Sequence, residues 1–184
     1  MIKTIAVDIG NVSVFIDTLV CPRALGLTGG LTPEMRELQR RVEWGEISDE
    51  RFFHDLRALT PGWSEEHIRA VFDSILLQPV PGMEELLAQL ASNGVQVAFF
   101  SDISPAHLEG FRRRFPSAAN YPGIYSFEVG AWKPSPKMFE AFEQRFGKPD
   151  LYVDDRLELV EAARKRGWNG QQFQNAEWLK GLVF

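Results

Sequence analysis

The strongest constraint on the fold of this chain comes from residues 4–12, where an apolar run leads directly into a carboxylate. Ile5, Ala6 and Val7 precede Asp8, and Gly10 follows two positions later. A continuous apolar run that stops at a turn signal is typical of a strand buried on both faces of a sheet. In an open α/β sheet, ligands lie beyond the carboxyl ends of the strands. We therefore predict a buried strand over residues 3–8, at whose carboxyl end Asp8 serves as a turn residue, or as a nucleophile, a metal ligand or both.

Similar short apolar runs recur along the chain and alternate with helical patterns. Strands are predicted at 95–100, 124–129 and 151–153, with a short fifth strand at 171–173. This alternation predicts an α/β fold in which a parallel sheet carries helices on both faces. The stretch 18–79 interrupts the alternation with three helical patterns that begin after Thr32, Ser48 and Ser64, and it contains no predicted strand. The prediction is a core formed by residues 1–17 and 80–184, with a small all-helical unit inserted at 18–79.

Polar side chains follow four of the predicted strands. They are Asp8, Ser101, Lys133 and the pair Asp154-Asp155. The carboxyl ends of parallel strands share one edge of the sheet, so these groups are expected to meet there. Asp8 and Asp155 would bind Mg²⁺, which prefers carboxylate, water and phosphate oxygens, while Lys133 and Ser101 would hold a phosphate that Asp8 attacks. Taken singly, each residue also fits a helix cap or a solvated surface, and it is their order at successive strand ends that favours a site.

The composition narrows the classes of function. A formal net charge of −5 argues against a broad nucleic-acid surface. The single cysteine, Cys21, cannot form an intramolecular disulfide, which fits a reducing compartment. No apolar run approaches the roughly 20 residues of a membrane helix. We expect a cytoplasmic monomer or homodimer that acts on a small phosphorylated metabolite and binds neither nucleic acid nor membrane.

The motifs at these strand ends resemble those of the haloacid dehalogenase (HAD) superfamily of hydrolases. The similar segments are residues 7–12, 99–102, 130–136 and 152–156, and the insertion at 18–79 is similar in position to the family's helical type 1 cap. The resemblance implies a Rossmann-like core, Mg²⁺ and hydrolysis of phosphomonoesters, with sugar-phosphate phosphatases and epoxide-hydrolase N-terminal-like proteins as the most similar subgroup.

The resemblance also implies a role for each site residue. The implied catalytic residues are Asp8 as nucleophile and Lys133. The implied phosphate-binding residues are Ser101, Asp102, Asn11 and Lys133. The implied metal ligands are Asp8, the backbone carbonyl of Gly10 and Asp155, with Asp154 in the outer shell.

Gly10 is the main departure from the family pattern. Most phosphatases of this family carry a second aspartate here, which protonates the leaving oxygen and later activates water. General acid–base help of this kind is worth roughly 10²- to 10⁴-fold in rate. Either another group takes the role, with Asp17 and Asp102 as candidates, or the leaving group needs little protonation, as in an anomeric or acyl phosphate, or turnover is slow.

Two alternatives remain open at this point. A metal-independent haloacid dehalogenase would use Asp8 to attack carbon, although the acidic pair Asp154-Asp155 favours a metal site. The missing aspartate also fits a catalytically impaired protein that binds phosphate or accepts a phosphoryl group as a switch.

Overall fold

The computed structural model describes residues 2–27 and 29–184. Seven strands occur in this part of the chain: β1 (Thr4–Val7), β2 (Val14–Ile16), β3 (Leu76–Pro79), β4 (Gln96–Ser101), β5 (Gly123–Tyr125), β6 (Leu151–Asp154) and β7 (Gly170–Gln172). The helices are α1 (Val20–Ala24), α2 (Pro33–Glu43), α3 (Asp49–Leu59), α4 (Glu65–Asp73), α5 (Met83–Ser92), α6 (Pro105–Arg114), α7 (Ser126–Val129), α8 (Pro136–Phe146), α9 (Leu157–Lys165) and α10 (Ala176–Val183), with a 3₁₀ turn at Pro116–Asn120.

Five strands form a parallel sheet in the order β5-β4-β1-β6-β7. Strand β1 is central: Val7 pairs with Phe99 of β4 on one side and with Val153 of β6 on the other. Its side chains alternate between two apolar layers, with Ile5 and Val7 packing on the α5 and α6 side and Ala6 on the α8 side. The prediction of an α/β, Rossmann-like sheet flanked by helices is confirmed. The strand order places the residues that follow β1, β4 and β6 side by side.

Helices α1 to α4 form a separate apolar cluster around Met35, Val42, Phe53 and Phe72. The hydroxyls of Thr32, Ser48 and Ser64 each accept a hydrogen bond from the backbone N–H three residues later, at 3.3, 3.3 and 3.1 Å. Each bond satisfies a donor that the first turn of a helix leaves free. The caps predicted for these three helices therefore form at the predicted residues.

The prediction that residues 18–79 contain no strand is wrong. Strand β3 lies within this range and pairs in antiparallel fashion with β2, with Leu76 opposite Ile16 and Pro79 opposite Val14. This two-stranded ribbon carries the chain out of the sheet into the helices and back. Both strands are short and about 60 residues apart in sequence, so no local sequence pattern predicts that they pair. The proposed boundaries at 17/18 and 79/80 stay predictions.

The third predicted strand is wrong in its second half. Residues 126–129 form the short helix α7, which ends at Gly130 with a φ of 71°. Ser126 is fully buried, and its hydroxyl accepts from the Ile103 N–H at 2.9 Å and donates to the Ile103 carbonyl at 3.1 Å. This contact outweighs the strand preference of residues 124–129, because it satisfies two buried backbone groups. Across residues 2–27 and 29–184, no helix combines the length and apolar character needed to cross a membrane.

Candidate active site

Asp8 follows the central strand, where its carboxylate is almost fully buried. Its backbone N–H donates to the Val153 carbonyl at 3.0 Å, which continues the sheet by one residue. Its carbonyl accepts from the Ser13 hydroxyl, also at 3.0 Å. The backbone of Asp8 is therefore held by hydrogen bonds at both its N–H and its carbonyl. A backbone held in this way suits a side chain that must present one oxygen to a reacting atom.

Lys133 forms an ion pair with Asp8. Its Nζ lies 2.9 Å from Asp8 Oδ1 and 2.7 Å from Asp154 Oδ2, and it also donates to the Phe100 carbonyl at 3.0 Å. The side chain has no exposed surface. Burial alone would lower the pKa of Lys133, but the charges of Asp8 and Asp154 hold it well above its usual value. Lys133 is therefore a permanent cation between two carboxylates.

Asp154 is held in place by its own hydrogen bonds. Its Oδ2 accepts from Lys133 and from the Tyr152 hydroxyl, and its Oδ1 accepts from the Arg156 N–H at 2.9 Å. Burial acts to raise the pKa of Asp154, yet Lys133 and these hydrogen bonds bring it below its usual value. With both oxygens engaged, Asp154 orients Lys133 and suits the outer-shell position that was predicted for it. Tyr152 was not predicted, because a tyrosine inside an apolar strand is usually a packing residue.

Asp155 is positioned by Asn11. The Asn11 Nδ2 donates to Asp155 Oδ2 at 3.0 Å, and its Oδ1 accepts from the Ile16 N–H at 3.2 Å. Asn11 adopts a left-handed backbone with a φ of 53°, which asparagine tolerates better than most residues. In the structure, both ends of the Asn11 amide are therefore hydrogen-bonded, one to Asp155 and the other to the Ile16 N–H. Its predicted contact with phosphate stays a prediction.

The carboxylates of Asp8, Asp154 and Asp155 form one acidic cluster. One oxygen from each lies within 4.8 Å of the others. Burial raises the pKa of Asp8 to about 7, and Asp154 and Asp155 add to this rise while Lys133 opposes it. Three carboxylates against one ammonium leave an excess of negative charge in a buried place, and a divalent cation would neutralise it. The all-oxygen donor set fits Mg²⁺.

The remaining predicted residues lie around this cluster. Ser101 ends β4 and is buried at the wall of the same cavity as Asp8. The Asp102 carboxylate accepts from the Lys133 N–H at 2.8 Å and from Arg156 Nη2 at 3.1 Å, so it fastens the loop that presents Lys133. Asp17 accepts from the Leu19 N–H at 2.9 Å and lies outside the described cavity lining. These contacts favour positioning roles for Asp102 and Asp17 over proton transfer.

Gly10 leaves no room for the missing aspartate unless a neighbour moves. A Cβ placed on Gly10 would lie 3.0 Å from Ile16 Cδ1 and 4.0 Å from Asp8 Oδ2. Ile16, from the ribbon that leads to helices α1 to α4, therefore occupies the space that a side chain at position 10 would enter. The predicted metal contact of the Gly10 carbonyl stays a prediction.

A cavity of about 420 Å³ connects Asp8 to the interior of helices α1 to α4. Glu43, at the end of α2, is a buried part of its wall that was not predicted. Its oxygens accept from Gln39 Nε2 at 2.8 Å and from Trp132 Nε1 at 2.9 Å. Burial raises the pKa of Glu43 to about 6. The spacing of Met35, Gln39 and Glu43, four residues apart on one helix face, is the sequence signal that could have revealed it.

Two further contacts hold helix α4 against helix α6 of the core. The His107 ring stacks on Phe72 with 3.8 Å between ring centroids, and its Nε2 lies 2.9 Å from the Phe72 carbonyl. Arg114 Nη2 lies 2.7 Å from Asp73 Oδ2. Together with the bond from Trp132 to Glu43, these contacts close the helical unit over the acidic cluster from two sides.

Comparisons with known proteins identify the family and the fold of the chain. The family model for haloacid dehalogenase-like hydrolases matches residues 2–167. No curated protein sequence matches the chain. A HAD family enzyme from Bacteroides thetaiotaomicron, in complex with magnesium and inorganic phosphate, has a TM-score of 0.84 at 20% identity, over 100% of each chain. A HAD-like family hydrolase from Porphyromonas gingivalis has a TM-score of 0.80 at 18% identity, over 100% of this chain and 97% of its own. At these identities the two structures show a shared fold.

Proposed function

Because the match over residues 2–167 shows that the chain belongs to the haloacid dehalogenase-like hydrolases, we propose that it is a Mg²⁺-dependent phosphatase of small phosphomonoesters. The observation that carries this proposal is the Asp8 carboxylate, held 2.9 Å from the Lys133 ammonium within a cluster of three aspartates. A nucleophile, a permanent cation and a cation-binding carboxylate set are what phosphoryl transfer needs.

Each residue has a definite part in the proposed reaction. Mg²⁺, when bound to Asp8 and Asp155, supplies positive charge for the phosphate oxygens. Lys133 neutralises a further phosphate oxygen, and the Ser101 hydroxyl donates to another. An Asp8 oxygen attacks phosphorus, the bond from phosphorus to the alcohol oxygen breaks, and that oxygen takes a proton from solvent because Gly10 offers none. Water then attacks phosphorus in the aspartyl phosphate and loses a proton to solvent, which releases inorganic phosphate and restores the Asp8 carboxylate.

The comparison with the Bacteroides thetaiotaomicron enzyme supports the ligands in this proposal. That protein has been crystallised with magnesium and inorganic phosphate, and its fold matches this chain from end to end. In this proposal Asp8 and Asp155 of the acidic cluster would bind the magnesium, and Lys133 and Ser101 would bind the phosphate. A cytoplasmic location, a small phosphorylated metabolite as substrate and a monomeric or dimeric state stay predictions.

The alcohol half of the substrate is a separate question. The resemblance to sugar-phosphate phosphatases implies a sugar, and this too stays a prediction. Gly10 removes the usual proton donor, so alcohols whose oxygen leaves without a proton are expected to react faster. The alternative of a metal-independent dehalogenase would be favoured only if the protein released halide from a haloacid and continued to do so after EDTA had removed the metal.

The test is a panel of phosphomonoesters assayed with Mg²⁺ and with EDTA. We expect hydrolysis with Mg²⁺ and a loss of nearly all turnover on chelation or in the Asp8→Asn variant. Asp55→Asn is the matched control, because Asp55 pairs with Arg51 at 2.7 Å on the outside of the cap, away from the cavity. Full turnover in EDTA or in Asp8→Asn would rule out the proposed reaction.

A further inference from the structure

The cavity above Asp8 changes character along its length. Its floor is formed by polar groups at the sheet edge, among them Asp8, Ser101 and Asp155. Its upper wall comes from the cap and consists mainly of apolar side chains. Six of these are Leu25, Leu31, Met35, Phe52, Leu56 and Phe72. An amphiphilic cavity of this kind fits a ligand with a charged end and an apolar end.

The polar side chains in the upper part of the cavity are few, and two of them are already hydrogen-bonded to partners. Among the described cap residues of the wall, Thr18, Gln39 and Glu43 carry a polar side chain other than a thiol. Gln39 donates to Glu43, and Glu43 also accepts from Trp132 outside the cap. The nearby His107 Nε2 is bonded to the Phe72 carbonyl. A sugar would bring several hydroxyls into this space, and each one left without a partner would lower affinity about fivefold or more.

We propose that the group esterified to the phosphate is apolar, an alkyl or aryl group that fills the cap cavity; this rests on the proposed phosphatase function for the phosphate end. The volume of about 420 Å³ sets its size. This lies at the small end of the roughly 300–1,000 Å³ that ligand pockets span, so beside the phosphate the cavity takes a small apolar group, such as a phenyl or short alkylphenyl group.

Phosphonates that cannot be hydrolysed test this inference separately from turnover. Phenyl-, 4-ethylphenyl-, 4-propylphenyl- and 4-octylphenylphosphonate are titrated calorimetrically into the enzyme with Mg²⁺, beside a phosphonate analogue of a hexose phosphate. Each added methylene up to the propyl compound should tighten Kd about threefold to fourfold. The octyl compound, too long for the cavity, should gain nothing further, and the sugar analogue should bind more weakly than the phenyl compound.

A pair of variants locates the effect in the cavity. Leu31→Gln places an amide in the apolar wall and should lower the ratio of propylphenyl to phenyl affinity about threefold or more. Leu59→Gln makes the same change at an exposed position on α3 outside the described lining, and should leave that ratio unchanged. Both affinities in the ratio are measured on the same preparation of each variant. A fraction of misfolded protein would therefore affect both measurements equally and leave the ratio unchanged.

The outcomes separate the inference from the proposed function. Affinity that is flat along the series, or stronger for the sugar analogue, overturns the apolar substrate and leaves phosphatase activity standing. Affinity that rises with chain length supports the apolar ligand even if phenyl phosphate is not hydrolysed, and in that case the failure falls on the proposed function. An unchanged ratio in Leu31→Gln also counts against the cavity as the binding place.

Discussion

Removal of the Lys133 ammonium should destabilise the protein strongly, and the structure sets the size of the effect. In Lys133→Met the apolar stem stays, while the charge that lies 2.9 Å from Asp8 and 2.7 Å from Asp154 is lost. Both carboxylates are buried, so the variant leaves them without a counter-ion. Breaking a buried ion pair in this way costs about 3–5 kcal/mol in the free energy of unfolding.

The loss should grow with pH. Without Lys133, the folded-state pKa of Asp154 rises from below its usual value, and that of Asp8 rises further above about 7. In the pH range between the wild-type and variant pKa values, the folded variant binds more protons than the folded wild type. The variant therefore loses stability relative to the wild type as pH rises, by up to about 1.4 kcal/mol per pH unit for each group.

Urea unfolding followed by tryptophan fluorescence, with EDTA present, measures this prediction at acid and at neutral pH. Lys137→Met is the control, since Lys137 is exposed in the first turn of α8, four residues after Lys133, and the same charge is removed. If Lys133→Met is as stable as Lys137→Met at neutral pH, or if its deficit does not vary with pH, then the charge balance described for Asp8 and Asp154 is wrong.

Three further predictions concern the surroundings of this cluster. As pH rises from 4.5 through about 6, Glu43→Gln should gain about 2 kcal/mol in the free energy of unfolding relative to the wild type. The reason is that burial raises the pKa of Glu43 in the folded state above its value in the unfolded state, so the wild type loses stability over this range. Urea unfolding across this pH range measures the difference. Asn11→Ala should weaken Mg²⁺ binding about 10- to 100-fold by releasing Asp155, and Asn11→Gly, which keeps the left-handed backbone, should show the same loss in calorimetric titration. Gly10→Asp combined with Ile16→Ala should raise kcat for alkyl phosphates by up to about 10²-fold. The gain for aryl phosphates should be smaller, because their oxygen leaves without a proton. Equal gains for both classes of substrate would contradict the idea that a proton donor is missing.

The parts of the fold that sequence predicted well are those where one local signal decides. The apolar run at residues 4–7 can be satisfied only by burial on both faces, and the structure buries Ile5, Ala6 and Val7 completely. The same reasoning identified the strands before Ser101 and Asp154, and therefore the sheet edge. Helix caps such as Ser64 were also predictable, because a hydroxyl before an apolar-faced helix bonds within its own first turn.

The parts that sequence could not predict depend on partners distant in the chain. Strand β2 becomes a strand only by pairing with β3, and Ser126 bends the chain only because its hydroxyl meets Ile103. Glu43 lies in the cavity wall and accepts a hydrogen bond from Trp132, far along the chain. The sequence indicated which side chains share the edge, and tertiary contacts decided how each one is held.

The most direct test of the central claim is to trap the phosphoenzyme. The enzyme is mixed with a radiolabelled phosphomonoester and Mg²⁺, quenched with acid within a single turnover, and digested for peptide mapping. The account predicts a labelled phosphoryl group on the peptide that carries Asp8, formed only with Mg²⁺, released by hydroxylamine and absent in Asp8→Asn. Release of inorganic phosphate with no label on Asp8 at any quench time, together with unchanged turnover in Asp8→Asn, would contradict it.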